Sequence, residues 1–439
     1  MNSKYVTLRL MNFQELLPPF IFLLFLLWLI GRVHFFSLSG VHVRWLQLAL
    51  VIKASAGIVM FYLYTYYYPL RIEADTFKYF DDSKPLYDAL WSNPPDFFKM
   101  LFGINCENDY FFTKYYVKMN NWYLAYDNGL MNDGRLIIRL NAVLRIISFG
   151  NYHINNMLFN TLSFIGLYSL MLLFIKISAS KWKSYLAAFA VPSTIFWSSG
   201  ILKENVLFFA LGLFCWMFYM LIYESFKWKT LISTLILISI LMIVKLYVLV
   251  ALLTAVVVFV LAAREKNNIT LFIISLVVFF LLLFIIDLIS PTYSIVELLV
   301  QKQNDFVALA QRSSAGSFIS TPKLENNPWS LISHLPLGIL NSFTRPWPHD
   351  IHSVLFIPPV IENILILGLI LAVLIKQQGL NTKQKAFVLF SICFTLILFA
   401  IIGLTTPILG AMVRYKVPAL PFLFFSLMLL LRTKAIDQR

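Results

Sequence analysis

The chain has 439 residues, 60% of them hydrophobic and only 13% charged, with a mean hydropathy of +0.78. A soluble chain keeps about 25% charged residues to cover its surface, so these proportions exclude a cytosolic enzyme, a disordered protein and a disulfide-stapled secreted domain, and they make lipid the solvent. The net charge of +14 lies in short basic clusters between apolar runs, the pattern that orients a chain in a bilayer rather than one that binds nucleic acid.

A helix needs about 20 apolar residues to cross the hydrocarbon layer. In chain order, eleven stretches qualify as candidates: 16–33, 46–69, 153–175, 184–200, 204–223, 230–244, 246–263, 269–289, 353–375, 386–404 and 417–432. The first has the hydrophobicity of a signal peptide, but it lacks a small-residue cleavage site and runs into Gly31-Arg32, so it reads as a span. The stretches 184–200 and 230–244 are short. They stop at Ser198-Ser199-Gly200 and Lys245, and are expected to end inside the membrane, where broken helices are tolerated only against a protein-lined cavity. The expected fold class is therefore all-α: a single transmembrane domain over 1–439, a polytopic bundle of about eleven helices.

Basic clusters recur at every second loop: Lys176, Lys181 and Lys183; Lys227 and Lys229; Arg264 and Lys266; Lys376, Lys383 and Lys385; Arg432, Lys434 and Arg439. By the positive-inside rule they mark the cytoplasmic side. Eleven spans then place the N-terminus outside together with Lys4 and Arg9, which runs against the rule. The opposite side receives two loop regions, 71–152 and 290–352. Within the first, 71–134 holds ten acids against six Lys/Arg. Its last part, Arg135–Phe149, carries an apolar arc at helical spacing (Leu136, Leu140, Val143, Leu144, Ile147), which suits an interfacial helix or a loop helix packed on the bundle. The cytoplasmic loops are too short for a nucleotide-binding domain, and no phosphate-loop string occurs, so an ATP-driven pump in this chain alone is disfavoured. No internal repeat is visible, which counts against an inverted-repeat transporter. The cysteines, Cys106, Cys215 and Cys393, have no metal or disulfide spacing.

Chemistry is then expected on the outer face. Asp75, Asp81 and Asp82 follow closely on the second span and its interfacial tyrosines. A carboxylate at that depth can act as general base toward an acceptor hydroxyl; the plainer reading is a solvated acidic loop or a helix cap. Outer-side cations oppose the orientation rule and are more informative. Lys203, Lys245, Arg414 and Lys416 sit between apolar runs, Arg345 sits in Arg345-Pro346-Trp347-Pro348-His349-Asp350, and Arg312 in a polar connector. Ionisable groups at membrane depth mark function by default, and several cations together suit a phosphate or diphosphate; snorkelling to headgroups is the alternative. His349 with Asp350 can form an acid/base pair or hold a divalent metal. Glu362, inside the following span, is expected to pair with a buried cation.

The layout resembles the GT-C superfamily of membrane glycosyltransferases, with many spans, an acidic first outer loop, outer-side arginines and no nucleotide motif. Glu73-Ala74-Asp75 and Tyr79 fall where that superfamily carries its loop carboxylate. The strings Pro192-Ser193-Thr194-Ile195-Phe196-Trp197-Ser198-Ser199-Gly200, Arg345-Pro346-Trp347-Pro348 and Val413-Arg414-Tyr415-Lys416-Val417-Pro418 look like multi-spanning proteins of bacterial envelope-polysaccharide loci. The resemblance implies a polyprenyl-(di)phosphate-linked sugar or oligosaccharide as partner, no certain cofactor and a bacterial inner membrane. Asp75, Asp81 or Asp82 would be catalytic, and Lys203, Lys245, Arg312, Arg345, His349, Arg414 and Lys416 would bind the substrate phosphate. An O-antigen-type polymerase or ligase, which leans on Arg312, Arg345 and Arg414, is the close alternative. A lipid-linked oligosaccharide transporter or a non-catalytic membrane subunit are the alternatives of another class.

Overall fold

In hydrocarbon the backbone must satisfy its own hydrogen bonds, and a helix does so within one segment. The structure, a computed structural model, describes residues 13–67, 71, 74–123, 133–264, 270, 273, 277, 294–312 and 316–432. Among the described residues every named element is helical, and the only β contacts are two isolated bridges, Phe318 with Ile408 and Gln377 with Leu431. In chain order the α-helices are α1 Phe13–Arg32, α2 Val43–Tyr67, α3 Asp75–Ser92, α4 Pro94–Phe102, α5 Asp109–Lys114, α6 Asp133–Ser148, α7 Tyr152–Ser178, α8 Lys181–Phe189, α9 Pro192–Trp197, α10 Lys203–Tyr223 and α11 Trp228–Arg264. They continue with α12 Ile295–Arg312, α13 Pro328–Thr344, α14 Ile357–Ile375, α15 Thr382–Thr405, α16 Leu409–Lys416 and α17 Leu420–Leu430.

Seven described helical segments are long and apolar enough to cross a membrane: Val43–Tyr66, Tyr152–Ser178, Lys203–Tyr223, Trp228–Ala263, Val354–Ile375, Thr382–Thr405 and Leu409–Leu430. The protein is thus a membrane-embedded bundle of helices, and the described residues do not reproduce the expected count of eleven. The differences have local causes. The stretch 184–200 divides into α8 and α9, because Val191 is extended and Pro192 opens a new helix, where its missing N–H costs nothing. The stretches 230–244 and 246–263 lie in one helical run, interrupted only by the non-helical backbone of Lys245 (φ −155°, ψ 86°). Unbroken, 37 residues would measure about 55 Å, against a hydrocarbon layer of about 30 Å. In α1 the apolar part, Leu17–Arg32, is a shorter helix. The expected span 269–289 lies outside the described residues.

The chain divides into two compact units, Met1–Phe164 with Ser199–Val206, and Ile165–Ser198 with Leu207–Arg439. In the first, α3 packs on α4 and α6. The stripe of α6 facing this core is Ile137, Ile138, Asn141, Ala142, Arg145 and Ser148, all buried. Arg145 Nε donates to Ser83 Oγ (2.7 Å) and its NH2 to the Phe80 carbonyl (2.7 Å), with the guanidinium 3.8 Å from the Phe80 ring centre. Burial pulls this guanidinium down to about 10 against the favourable pull of Asp81 and Asp88, so it stays charged at neutral pH. The apolar arc read from the sequence lies on the other side of α6, half-buried or exposed. An outward apolar face suits a helix lying in the interface.

In the second unit, α15 is the axis. It packs along α11 and α13 and touches α12, α16 and α17. The α13–α15 crossing depends on two glycines, since a Cβ on Gly403 would collide with the Gly338 backbone; such small-residue contacts bring helix backbones together in membranes. Ser342 Oγ then donates to the Phe399 carbonyl across the same crossing (2.9 Å). One end of this unit gathers the basic clusters. Lys176 pairs with Glu224 (2.7 Å), Lys383 Nζ donates to the Lys176 carbonyl (3.1 Å), Lys183 Nζ to the Met428 carbonyl (3.2 Å), and Arg432 N–H to the Lys376 carbonyl (3.0 Å). Gly403→Val is expected to destabilise the protein by about 1–3 kcal/mol through overpacking. The check is the melting temperature of the detergent-solubilised protein, and an unchanged value would remove the close crossing from this account.

Candidate functional site

In the first unit, Asp75 is the first residue of α3 and pairs with Lys78 one turn on (2.7 Å). A carboxylate suits a helix N-terminus. Burial works against the Lys78 charge, but Asp75 outweighs it and raises the ammonium above its ordinary value. Lys203 Nζ reaches Asp133 Oδ1 (2.5 Å) and stands 5.5 Å from the Tyr79 ring centre, with Lys78 at 5.6 Å from the same ring. Asp75, Lys78, Tyr79, Lys203 and Asp133 are therefore one patch.

The adjacent acids have other work. Asp81 takes a two-pronged contact from Arg71 (2.7 and 3.0 Å) and is largely exposed. Asp82 is buried and accepts from the backbone N–H of Asn120 (2.9 Å), the backbone N–H of Asn121 (2.6 Å) and the Asn121 side chain (3.1 Å). Burial raises its pKa, partly offset by those donors. With these bonds Asp82 ties Asn120 and Asn121 to α3. A second staple is Asp96 Oδ2, which accepts from Asn93, Tyr110, Tyr115 and Lys114 at 2.7–3.2 Å.

In the second unit, three consecutive residues at the end of α16 each reach a different element. Arg414 lies over the Trp197 ring of α9 (5.4 Å to its centre). Tyr415 lies under Lys245 at the α11 break (4.6 Å) and beside Tyr247 (6.2 Å). Lys416 is buried, and its Nζ donates to the Arg345 carbonyl (2.7 Å), the Ser342 carbonyl (3.2 Å) and Asn363 Oδ1 (3.0 Å). Those contacts account for all three ammonium protons, so Lys416 ties the end of α13 and α14 to α16. Asn363 Nδ2 in turn donates to the Pro346 carbonyl (3.1 Å). The Arg345 guanidinium meets Asp350 Oδ1 (3.1 Å), Asp350 Oδ2 accepts from the Trp347 N–H (2.8 Å), and His349 Nε2 stands 3.3 Å from Asp350. The Arg345–Pro346 peptide bond is cis. Glu362 is buried, accepts from the Ser193 N–H at the start of α9 (2.8 Å) and interacts electrostatically with Lys416.

The depth of this cluster follows from helix geometry. Glu362 stands about 20 Å up α14 from Ile375, at 1.5 Å per residue, and Ile375 adjoins the basic end. Lys416 is about as far from Leu430 along the last two helical pieces. In a hydrocarbon layer of about 30 Å, Glu362, Asn363, Lys416 and Ser193 form a polar layer inside the membrane, and Arg345, Arg414 and Lys245 lie around it.

The structure thus brings Lys245, Arg345, His349, Arg414 and Lys416 together in the second unit, and Asp75 with Lys203 in the first. Arg312 ends α12, but its side chain lies outside the described residues. Among the described residues, no group of three or more His, Cys, Asp or Glu side chains is arranged to hold a metal ion. Sequence reading missed Asn363, Ser193 and Trp197 as partners, although Asn363 beside Glu362 in an apolar run was a signal. A further buried polar group lies in the first unit, where Lys53 Nζ reaches Ser199 Oγ (3.3 Å) and Asn160 Nδ2 reaches the Ser199 carbonyl (2.8 Å). Comparison with protein-family models, curated proteins and solved structures finds no match for this chain.

Lys416→Met is expected to cost about 3–5 kcal/mol, because the Ser342 and Arg345 carbonyls and Asn363 Oδ1 lose their buried donor and Glu362 loses the nearby opposing charge. Glu362→Gln in the same chain should recover 1 kcal/mol or more, about the coupling of neighbouring groups. Melting of the four variants checks this, and additive losses would show that the two side chains act separately.

Asp96 gives a pH prediction. Burial acts to raise its pKa, but the hydrogen bonds from Tyr110, Tyr115 and Lys114 outweigh it and hold the carboxyl below its ordinary 3.8. A depressed folded-state pKa stabilises fully above the unfolded value and is lost as pH falls through the folded one. Amide exchange over residues 94–118 should therefore rise as pH drops below 3.8 beyond the intrinsic pH effect, and Asp96→Asn should remove that excess.

Proposed function

We propose that the protein is an integral membrane glycosyltransferase with a GT-C-like layout of about eleven spans. It takes a sugar or oligosaccharide from a polyprenyl-(di)phosphate donor on the extracytoplasmic face of a bacterial inner membrane, for envelope polysaccharide or glycoconjugate assembly. The observation that carries this reading is the hub Arg414-Tyr415-Lys416. It brings two cations of α16, Arg414 and Lys416, beside Lys245 at the α11 break and Arg345 just after α13, all away from the basic end that the orientation rule explains. Two of them are arginines, whose planar forks match phosphate oxygens.

In the proposed reaction an acceptor hydroxyl oxygen attacks the anomeric carbon of the donor. The bond from that carbon to the phosphate oxygen breaks, and its electron pair leaves with the phosphate. Arg345 and Arg414 stabilise the charge that grows there, in surroundings of low dielectric where such contacts are strongest. Asp350 and Trp197 hold the two guanidiniums, so little reorganisation is needed as charge develops. The hydroxyl proton passes to a carboxylate. His349 with Asp350 is the pair that a divalent metal would use. Polymerisation of whole repeat units on polyprenyl diphosphate uses the same phosphate contacts.

One observation favours a second reading. Helices α9, α11 and α16–α17 are all discontinuous around a polar layer inside the membrane, as in transporters whose broken helices bind a headgroup. A lipid-linked oligosaccharide transporter would use the same cations without bond cleavage.

Arg345→Ala and Arg414→Ala are expected to lower transfer by about 10²–10³-fold, with protein levels in the membrane unchanged. Arg345→Lys should restore little, because an ammonium lacks the fork. Surface glycan and lipid-linked intermediates in the source bacterium report the outcome. Single repeat units accumulating on the outer leaflet support polymerisation, and units missing one sugar support monosaccharide transfer. Complete units trapped on the inner leaflet support transport. Unchanged glycan in both alanine variants would remove the arginines from the mechanism.

A further inference from the structure

The first unit carries an apolar surface that its own core does not use. Helix α6 ends in a turn of two left-handed residues, Phe149 (φ 50°) and Gly150 (φ 77°), and α7 starts at Tyr152. Glycine adopts that conformation freely, but a phenylalanine there is strained. Phe149 is nevertheless 86% exposed, so its ring gains little from packing within the unit, and Ile146 and Ile147 in the last turn of α6 are exposed beside it.

The surface continues onto α4. Arg139 of α6 donates from Nε to the Met100 carbonyl (2.8 Å), and a Cβ on Gly103 would stand 3.2 Å from its guanidinium. These contacts set the end of α4 against α6. Phe102 and Ile104, on either side of Gly103, are 68% and 57% exposed. From Arg139, the half-buried Val143 and the exposed Ile146 follow along one ridge of α6 at helical spacing, so about 10 Å of helix separates the α4 end from Ile146. Phe98 is exposed and stacks on Phe102 (6.4 Å between ring centres), and the exposed Lys99 lies on the same side of α4. Clustered apolar exposure of this kind marks a contact with membrane or with protein, and α7 decides between them. Its 27 residues measure about 40 Å against a hydrocarbon layer of about 30 Å, so its first residues stand in the headgroup zone. Three residues of chain reach at most about 10 Å, which keeps Phe149 and the last turn of α6 at the level of the membrane surface.

We propose that the end of α4 and the outward ridge of α6 form one membrane-docking face, with Phe102, Ile104, Ile146, Ile147 and Phe149 inserted where headgroups meet acyl chains and Lys99 at the lipid phosphates. A helix with an apolar outer side lies in the interface in this way, and a lysine beside it keeps its ammonium in the headgroup layer. The occupant is the phospholipid of the bilayer that α7 crosses. Because α3 packs on both α4 and α6, the docked face also holds α3 beside the bilayer. The inference does not rest on the glycosyltransferase reading.

The test is nitroxide labelling of the purified full-length protein in vesicles of phosphatidylglycerol and phosphatidylcholine. The native cysteines are buried, so a label goes to one added cysteine at a time: Phe102→Cys, Ile147→Cys and, as the aqueous control on the charged side of α3, Lys84→Cys, whose side chain is 65% exposed. Power saturation compares collisions of the label with oxygen, which concentrates in lipid, and with a water-soluble nickel chelate. The ratio of oxygen to nickel collisions at positions 102 and 147 should exceed that at 84 about tenfold, the contrast between the acyl boundary and water. Ile104→Cys takes the place of Phe102→Cys if that variant fails to fold. Equal ratios at the three positions would overturn the proposal. A lipid-like ratio at 147 alone would overturn it too, because α4 would then stand clear of the bilayer. Shielding that appears only when an extract of native membranes is added would assign the face to a protein partner and also overturn it.

Discussion

The second unit depends on one ammonium group. Lys416 is buried about 20 Å from the basic end, a depth at which an unpaired charge is costly. Its three protons go to the Ser342 carbonyl near the end of α13, to the Arg345 carbonyl just beyond it and to Asn363 on α14. A polar group in hydrocarbon must find its partners in protein, so these contacts fix the end of α13 and the first half of α14 against α16. The two arginines of the candidate site follow from this anchor. Arg345 is held by its own backbone oxygen, and Arg414 is two residues away on the same short helix. Glu362 completes the arrangement, since it caps α9, and α9 carries the Trp197 ring under Arg414.

Breaking helices inside a membrane exposes backbone groups, and the chain handles each break differently. Pro192, Pro418 and Pro421 stand at helix starts, where no N–H is needed. The free Ser193 N–H goes to Glu362. At Lys245 the break lets a 37-residue run fit a layer about half its straight length, and it turns the ammonium toward Tyr415 and Tyr247. The interruptions therefore coincide with charged residues, not with random weak points in the helices. Each break supplies either a side chain or a backbone group to the polar layer.

Much of this was legible in hydropathy and charge alone. Long apolar runs such as Thr382–Thr405 can only be spans, and Lys245, Arg345, Arg414 and Lys416 stood out because the orientation rule does not account for them. What sequence did not carry was direction. Asp81 and Asp82 are neighbours about 100° apart on α3, so one faces Arg71 and solvent and the other the core; α3 has too weak an amphipathic pattern to say which. Arg414 and Lys416 part in the same way, one toward an aromatic face and one toward carbonyls. Their roles differ by burial and partner count, which are tertiary quantities. The division of 184–200 into α8 and α9 was hidden for a similar reason: an apolar run with a proline inside reads alike whether the helix kinks or restarts.

The two ends of the second unit use positive charge in opposite ways, and the contrast separates topology from chemistry. At the basic end the lysines lie in short connections, partly exposed, with contacts to helix-terminal carbonyls. Such contacts complement the negative pole of a helix C-terminus, which is enough to explain Lys183 at Met428 and Lys383 at Lys176 as features of orientation. At the other end Arg414 and Lys245 lie on aromatic rings and Arg345 on a carboxylate, while Lys416 adds the Asn363 side chain to two carbonyls at the end of α13. Holding four cations in this part of the unit carries mutual repulsion, which Asp350 beside Arg345 and Glu362 near Lys416 offset in part. A fold that needed only stability would do better with apolar residues at these positions. The location of these cations, around the polar layer and away from the basic end, is the strongest reason to seek the function of this protein there.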